Sequence, residues 1–197
     1  EVGDILPNPE LAETFRAIAT DGADAFYRGE IAEALISAVQ GHDNPGFMTL
    51  NDMARYKAIQ REPICQAYRK YRICGMPPPT SGGLAALQIM ALLERFDLKG
   101  IDPSTLKAVH LFSEASRLAF ADRNMYVADS DFVKIPVKEL MKRAYIRDRS
   151  MLINETSSMG RAKAGNIPKR QGSFTPDFTN ESPSTMHLSI VDKDGNV

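Results

Sequence analysis

The 197 residues are 43% hydrophobic and 25% charged, an ordinary globular composition with enough length to bury a core, so one domain or one lobe of a larger protein is expected. With 24 basic residues against 25 acidic ones the formal net charge is −1, which gives no electrostatic grip on nucleic acid or on an anionic membrane. No run approaches the roughly 20 apolar residues that cross a bilayer, and no secretion signal opens the chain; because the first residue is Glu1 and not methionine, the missing leader carries no information.

The first element is a helix. Asn8 suits its cap, Pro9 its first position and Glu10 its positive end, and Leu11, Phe15 and Ile18 recur at helical spacing. Gly22 and Gly29 bracket a short stretch, after which Ile31, Ala34, Leu35, Ala38 and Val39 predict a second amphipathic helix that stops at Gly41. A turn follows over 42–48, then a short helix starts at Thr49-Leu50-Asn51-Asp52. From Ile59 the pattern becomes β-like, and the runs 64–68 and 71–74 predict a hairpin that turns at Arg69-Lys70, with Pro63 restricting it to a sheet edge. In that register Cys65 lies opposite Cys74; two small half-buried residues without a bond are the expectation, since most free cysteines act as small hydrophobes.

Met76-Pro77-Pro78-Pro79 lacks amide donors and is expected to run extended into Thr80-Ser81-Gly82-Gly83, where Thr80 or Ser81 caps a helix carrying Leu84, Leu87, Met90, Ala91 and Leu93. Asp102-Pro103-Ser104 signals the cap of a longer helix through Leu106, Val109, Phe112, Ala119 and Asp122, and a last helix is predicted from Val137 to about Leu152. From Asn154 to Pro183 the composition turns to Ser, Thr, Gly, Pro, Lys and Asn, which predicts a mobile linker. Met186 to Val191 has strand character and is closed by a hairpin-type turn over 192–196, so the partner strand is expected in a longer parent chain.

Taken without context, the histidines, the Asp129-Ser130-Asp131 run and the Gly82-Gly83 pair point to bland roles. His42 and His110 have no carboxylates at ligand spacing. Asp129-Ser130-Asp131 lacks the later glycine and glutamate of a calcium loop and is expected as a helix-end turn. Gly82-Gly83 lacks the lysine of a phosphate loop and is expected to serve close backbone packing at a helix start. The nine methionines follow helical faces as core filling.

Three stretches together resemble the γ-glutamyltransferase family, whose fold is that of the N-terminal-nucleophile hydrolases. They are 8–12 with 22–29; Gly75 to Gly83, with Ala119 to Arg123 and Tyr126; and Thr185 to Asn196. The resemblance implies an α+β chain, a mostly helical fragment of an αββα fold, in which 1–153 is a helical lobe of the large subunit with a hairpin near 59–75. It makes 154–184 a linker and 185–197 the first strand and turn of the small subunit. It further implies a precursor that cuts itself between Ser184 and Thr185, after which Thr185 is the nucleophile and its freed α-amine the general base.

That chemistry is sound in itself, since a hydroxyl needs a base and an α-amine of pKa roughly 7.7–8.0 is within reach on the same residue. The implied substrates are glutathione or another γ-glutamyl amide, with water, an amino acid or a peptide as acceptor. The remainder of the small subunit is the implied partner, no cofactor or metal is involved, and the implied compartment is periplasmic or secreted, with a cytoplasmic one left open. Met186 stands where the family commonly has a second threonine. His187 shares a strand face with Thr185, and a structural hydrogen bond is expected of it. Residues that in this family bind the γ-glutamyl carboxylate and form the oxyanion hole fall outside 1–197, so the piece alone is expected to be inactive. Two alternatives are an acylase of the same fold acting on glutaryl amides and a non-catalytic helical interaction domain.

Overall fold

The computed structural model describes residues 3–167. Ser184, Thr185, His187, the strand expected from Met186 and the turn at 192–196 lie outside the described residues. The chain forms two compact units, Glu1–Gln60 and Arg61–Val197, dividing the lobe expected over 1–153.

In the first unit, α1 (Pro9–Asp21) begins as the sequence indicates, with the Leu11 amide donating to Asn8 Oδ1 at 3.0 Å. Gly22, at φ 68°, ends it and starts α2 (Ala23–Tyr27), a turn of chain that glycine permits because it carries no Cβ. Next come α3 (Glu30–Gln40), which buries Ala32 and Ile36, and α4 (Leu50–Arg55), opened by a reciprocal cap between Thr49 and Asp52. Arg28 donates to the Ala54 carbonyl at 3.1 Å, and the Tyr27 and Tyr56 rings stack at 5.5 Å, tying α2 to the end of α4.

The second unit opens with strands β1 (Ile64–Tyr68) and β2 (Tyr71–Gly75), antiparallel in the register read from the sequence, Tyr68 opposite Tyr71 and Cys65 opposite Cys74. Contrary to the unbonded expectation, Cys65 and Cys74 form a disulfide. Directly opposed positions bring the two side chains together, and a bond is then the stable outcome wherever the surroundings are oxidising. The turn residue Arg69 adopts φ 52° and is held by the far end of the next helix: its amide donates to Glu94 Oε1, and its guanidinium to the Phe96 carbonyl, both at 3.1 Å.

After a turn at Pro78-Pro79, α5 (Gly82–Leu93) buries Leu84, Ala85, Leu87, Gln88, Ala91, Leu92 and Leu93. Ser81 precedes it but does not cap it; the Ser81 hydroxyl instead accepts from Arg123 Nε at 3.2 Å. Helix α6 (Leu106–Tyr126) is capped by Thr105, not by the Asp102 group, which closes its own turn on the Ser104 amide at 2.8 Å. The helix expected over 137–152 is two, α7 (Val137–Leu140) and α8 (Arg143–Ser150), broken where Lys142 turns extended. In one continuous helix Leu140 and Ile146 would lie about 120° apart at 100° per residue; on either side of the break both are buried.

Two apolar clusters result. One joins α5, α6 and α8 through Leu92, Leu111, Leu118 and Ile146; the other gathers Leu84, Tyr126, Leu140 and Ile167. Residues 154–167, the start of the expected linker, contain no helix or strand but are bonded down, from the buried Ile153 at one end to the buried Ile167 at the other. The composition concealed this because the bonds come from α6 side chains and not from the segment's own apolar content.

The Gly82-Gly83 pair does serve backbone packing, and its two members differ. A Cβ at Gly83 would collide with the Met76 backbone, whereas one at Gly82 meets nothing within 4 Å. Gly83→Ala is therefore expected to lower stability by about 3 kcal/mol or more, in the range of severe overpacking, while Gly82→Ala stays within about 1 kcal/mol of the parent protein. Urea denaturation followed by circular dichroism measures both.

Candidate functional site

The described residues nearest in sequence to the expected processing point are 154–167, and almost all their anchors lie on α6. His110 Nε2 bonds the Asn154 carbonyl at 2.8 Å, and Lys107 pairs with Glu155 at 2.9 Å. Glu114, fully buried, accepts from the Ser158 hydroxyl and the Met159 amide, each at 2.8 Å, and from Arg117 at 3.3 Å. Arg117 in turn donates to the Gly160 carbonyl at 2.9 Å. Further along, Asp122 accepts from the Gly165 amide at 2.8 Å, and the Tyr126 hydroxyl donates to the Gly165 carbonyl. Segment and helix thus run in the same direction, with partners advancing together from 110 and 154 to 126 and 165.

Asp122 is the centre of this arrangement. Its Oδ1 takes Gly165 N–H and Arg149 Nη2 (3.1 Å), and its Oδ2 takes the Tyr145 hydroxyl (2.7 Å) and Gln88 Nε2 (3.3 Å). Arg149 also donates to the Leu118 carbonyl and Gln88 to the Leu140 carbonyl, so one carboxylate links α5, α6, α7, α8 and the 154–167 segment. Burial of the Tyr145 phenol, followed by the neighbouring Asp122 charge, pushes its pKa well above the ordinary tyrosine value. That hydroxyl stays protonated and donates. A buried carboxylate with four donors and a paired guanidinium is built to hold geometry, since an ion kept from water survives only when its lone pairs are filled.

A cavity of about 570 Å³ lies among β1, α5 and α8, floored by Ala67, Ala91 and Ile146 and edged by Arg95, Arg143 and Arg147. It offers no free nucleophile. Cys65 is in the disulfide, and the Ser150 hydroxyl donates to the Leu92 carbonyl and accepts from Arg95. His42 accepts from the Asn44 amide in a loop turn, and Asp129 closes a turn on the Asp131 amide beyond the end of α6, as the sequence suggests. Among the described residues no group of carboxylates, histidines and cysteines could hold a metal ion.

The sequence reading found Asp122 only as part of a helix and passed over Gln88, Glu114 and Arg149. A signal existed. Glu114 and Asp122 fall in phase with the buried Leu111, Ala115, Leu118 and Ala119, and a charge repeating with the apolar face of a helix marks a buried, partnered ion.

The comparisons with known proteins bear on the whole chain. The family model described as gamma-glutamyltranspeptidase matches residues 1–197. The chain is 40% identical over 194 residues to the glutathione hydrolase proenzyme of Escherichia coli (strain K12), covering 98% of itself and 32% of that protein. It is 36% identical over 192 residues to the acylase ACY 1 proenzyme of Pseudomonas sp. (strain SE83), again covering 98% of itself and 32% of the relative. Its fold matches the crystal structure of Helicobacter pylori gamma-glutamyltranspeptidase with a TM-score of 0.72 at 35% identity, over 87% of this chain and 49% of that one. The chain therefore spans about a third of the length of the curated relatives it matches.

Two substitutions test the hub. Asp122→Ala strands the buried Arg149 charge and is expected to cost about 3–5 kcal/mol, whereas Tyr145→Phe removes one hydrogen bond and costs about 1 kcal/mol; denaturant titration of the purified protein reads both. The raised Tyr145 pKa also sets an alkaline slope. Above the unfolded value near 10 the unfolded chain releases a proton that the folded chain keeps, so the unfolded state binds fewer protons and stability falls as pH rises. Between about pH 9 and 11, denaturation midpoints of Tyr145→Phe should fall less steeply than those of the wild type.

Proposed function

We propose, from the premise that the chain belongs to the gamma-glutamyltranspeptidase family, that it is part of a precursor which cleaves itself between Ser184 and Thr185 and then uses Thr185 as its nucleophile. The observation that carries this reading is the family match along the full 1–197, together with the run Thr185 to Asn196 that resembles the start of the small subunit. In processing, the Thr185 hydroxyl attacks the Ser184 carbonyl carbon, and the amide nitrogen leaves as the peptide bond becomes an ester. Water then hydrolyses the ester, freeing the Ser184 carboxylate and a Thr185 that bears both its hydroxyl and an α-amine. In turnover the neutral amine takes the hydroxyl proton as Thr185 attacks a γ-glutamyl carbonyl; the leaving amine departs protonated, and the acyl group passes to water or to an acceptor amine.

Glutathione and related γ-glutamyl amides are the substrates this reading favours, because glutathione hydrolase proenzymes are among the most similar relatives. A glutaryl-type acylase is the second reading, favoured by the similarity to the Pseudomonas acylase. The remainder of the parent chain supplies the groups that hold the substrate carboxylate and stabilise the oxyanion. The Cys65–Cys74 disulfide supports a periplasmic or secreted setting, since such bonds persist where thiols are oxidised.

Intact mass of the full-length precursor after incubation is expected to show a new chain starting at Thr185, and Thr185→Ala is expected to stay whole and to lose at least about 1,000-fold in hydrolysis of a γ-glutamyl anilide. A folded wild-type precursor that remains uncut ends the proposal. Hydrolysis of glutaryl but not γ-glutamyl amides selects the acylase. With an amine base of pKa roughly 7.7–8.0, kcat/KM should rise between about pH 7 and 9 as the amine loses its proton.

A further inference from the structure

Three elements of the second unit, β1, α5 and α8, enclose the cavity of about 570 Å³, within the roughly 300–1,000 Å³ that small-molecule pockets occupy. Its floor is apolar, from Ala91, Met141 and Ile146, and the polar groups that reach it come from two sides. On the β1 side, Gln66 shares the strand face of Ile64, which packs against the second apolar cluster, and Gln66 Oε1 is buried with no hydrogen-bond partner among the described residues. On the α8 side, Arg143 and Arg147 stand about one helical turn apart, a like-charged spacing that costs the helix stability. The Arg143 side chain has no partner among the described residues, and Arg147 has the exposed neighbour Asp148 at 3.5 Å. Arg95 is already engaged, donating to Ser150 Oγ at 3.2 Å and to the Ile153 carbonyl at 2.8 Å. Glu94, the one acidic residue lining the cavity, accepts from the Arg69 amide at 3.1 Å.

The geometry points to a binding site for a small carboxylate that has an apolar body and one N–H, the pattern of an N-acyl amino acid. Each part of that ligand answers an observation. The carboxylate bridges Arg143 and Arg147, relieving their repulsion through charge-assisted hydrogen bonds. The N–H donates to Gln66 Oε1, an acceptor that is costly to leave buried without a bond. The apolar body covers Ala91, Met141 and Ile146, where burial of hydrocarbon supplies affinity. Charge disfavours a cationic occupant, since the lining carries Arg95, Arg143 and Arg147 against Glu94 alone. With Cys65 in the disulfide and the Ser150 hydroxyl hydrogen-bonded, the cavity holds its ligand without reacting with it. The site goes beyond the reading for Thr185, and no step of the proposed cleavage or acyl transfer uses its residues.

The test is calorimetric titration of the full-length parent with N-acetylphenylalanine, expected to bind at a single site with a Kd below about 1 mM. Changing the exposed pair together, Arg143→Gln with Arg147→Gln, is expected to weaken binding at least about 10-fold, and Gln66→Leu at least about 5-fold. Two ligand controls on the unaltered protein make the same cuts without any risk to folding. N-acetylphenylalaninamide, which lacks the charge, should lose at least about 10-fold, and 3-phenylpropanoate, which lacks the N–H, at least about 5-fold. No binding of the probe up to about 10 mM, as when the rest of the parent fills the cavity, overturns the inference, and so does an affinity that the arginine changes leave untouched. Displacement of the probe by excess glutamate, the product of the proposed hydrolysis, puts it in the catalytic site and also overturns the inference. An uncut precursor that binds the probe in the expected pattern sinks the Thr185 reading alone, and a normally processed enzyme that does not bind it sinks the cavity site alone.

Discussion

A buried carboxylate has to be fully partnered, and much of the second unit is arranged around meeting that demand at Asp122. Four donors from three parts of the chain converge on its two oxygens: Gln88 of α5, Tyr145 and Arg149 of α8, and the Gly165 amide. Each donor fixes the element that carries it. The apolar clusters on either side supply burial, which is indifferent to register, whereas the hydrogen bonds to Asp122 specify which turn of α5 and of α8 faces which turn of α6. A second buried carboxylate, Glu114, two helical turns earlier, repeats the device for Ser158 and Met159.

Helix α6 thereby does more than fill a core. One face packs on α5 and α8, and a polar face takes residues 154–165 in ordered sequence, delivering the chain to the buried Ile167 beside Leu84, Tyr126 and Leu140. In the proposed precursor, the chain passes from this point toward Ser184 and Thr185. The chain belongs to the gamma-glutamyltranspeptidase family and spans about a third of the length of the curated relatives it matches.

The hairpin shows how far pairing rules carry. Period-two alternation and a two-residue turn gave the register of β1 and β2, including Cys65 opposite Cys74, because adjacent strands leave few alternatives. The disulfide itself did not follow, since register brings two sulfurs together and surroundings decide whether they bond. The helix expected over 137–152 went differently. Its composition is helical throughout, yet the chain turns extended at Lys142, with Leu140 buried before the break and Ile146 buried after it.

By itself the sequence determined most helix starts and stops, the hairpin, the glycine contact at Gly83 and membership of a family, because each depends on neighbours in the chain or on a motif of fixed spacing. Asn8 and Thr49 cap their helices from three residues away, and Gly83 leaves room for the Met76 backbone only a turn behind it. The tertiary structure decided the rest: that Asp122 and Glu114 are buried and filled, that Ser81 serves Arg123 and not its own helix, and that a stretch of linker composition is tied down. These partners lie 42 to 44 residues apart along the chain. No local pattern encodes such a pairing, because a carboxylate on a helix reads alike in sequence whether water or a distant amide is its partner.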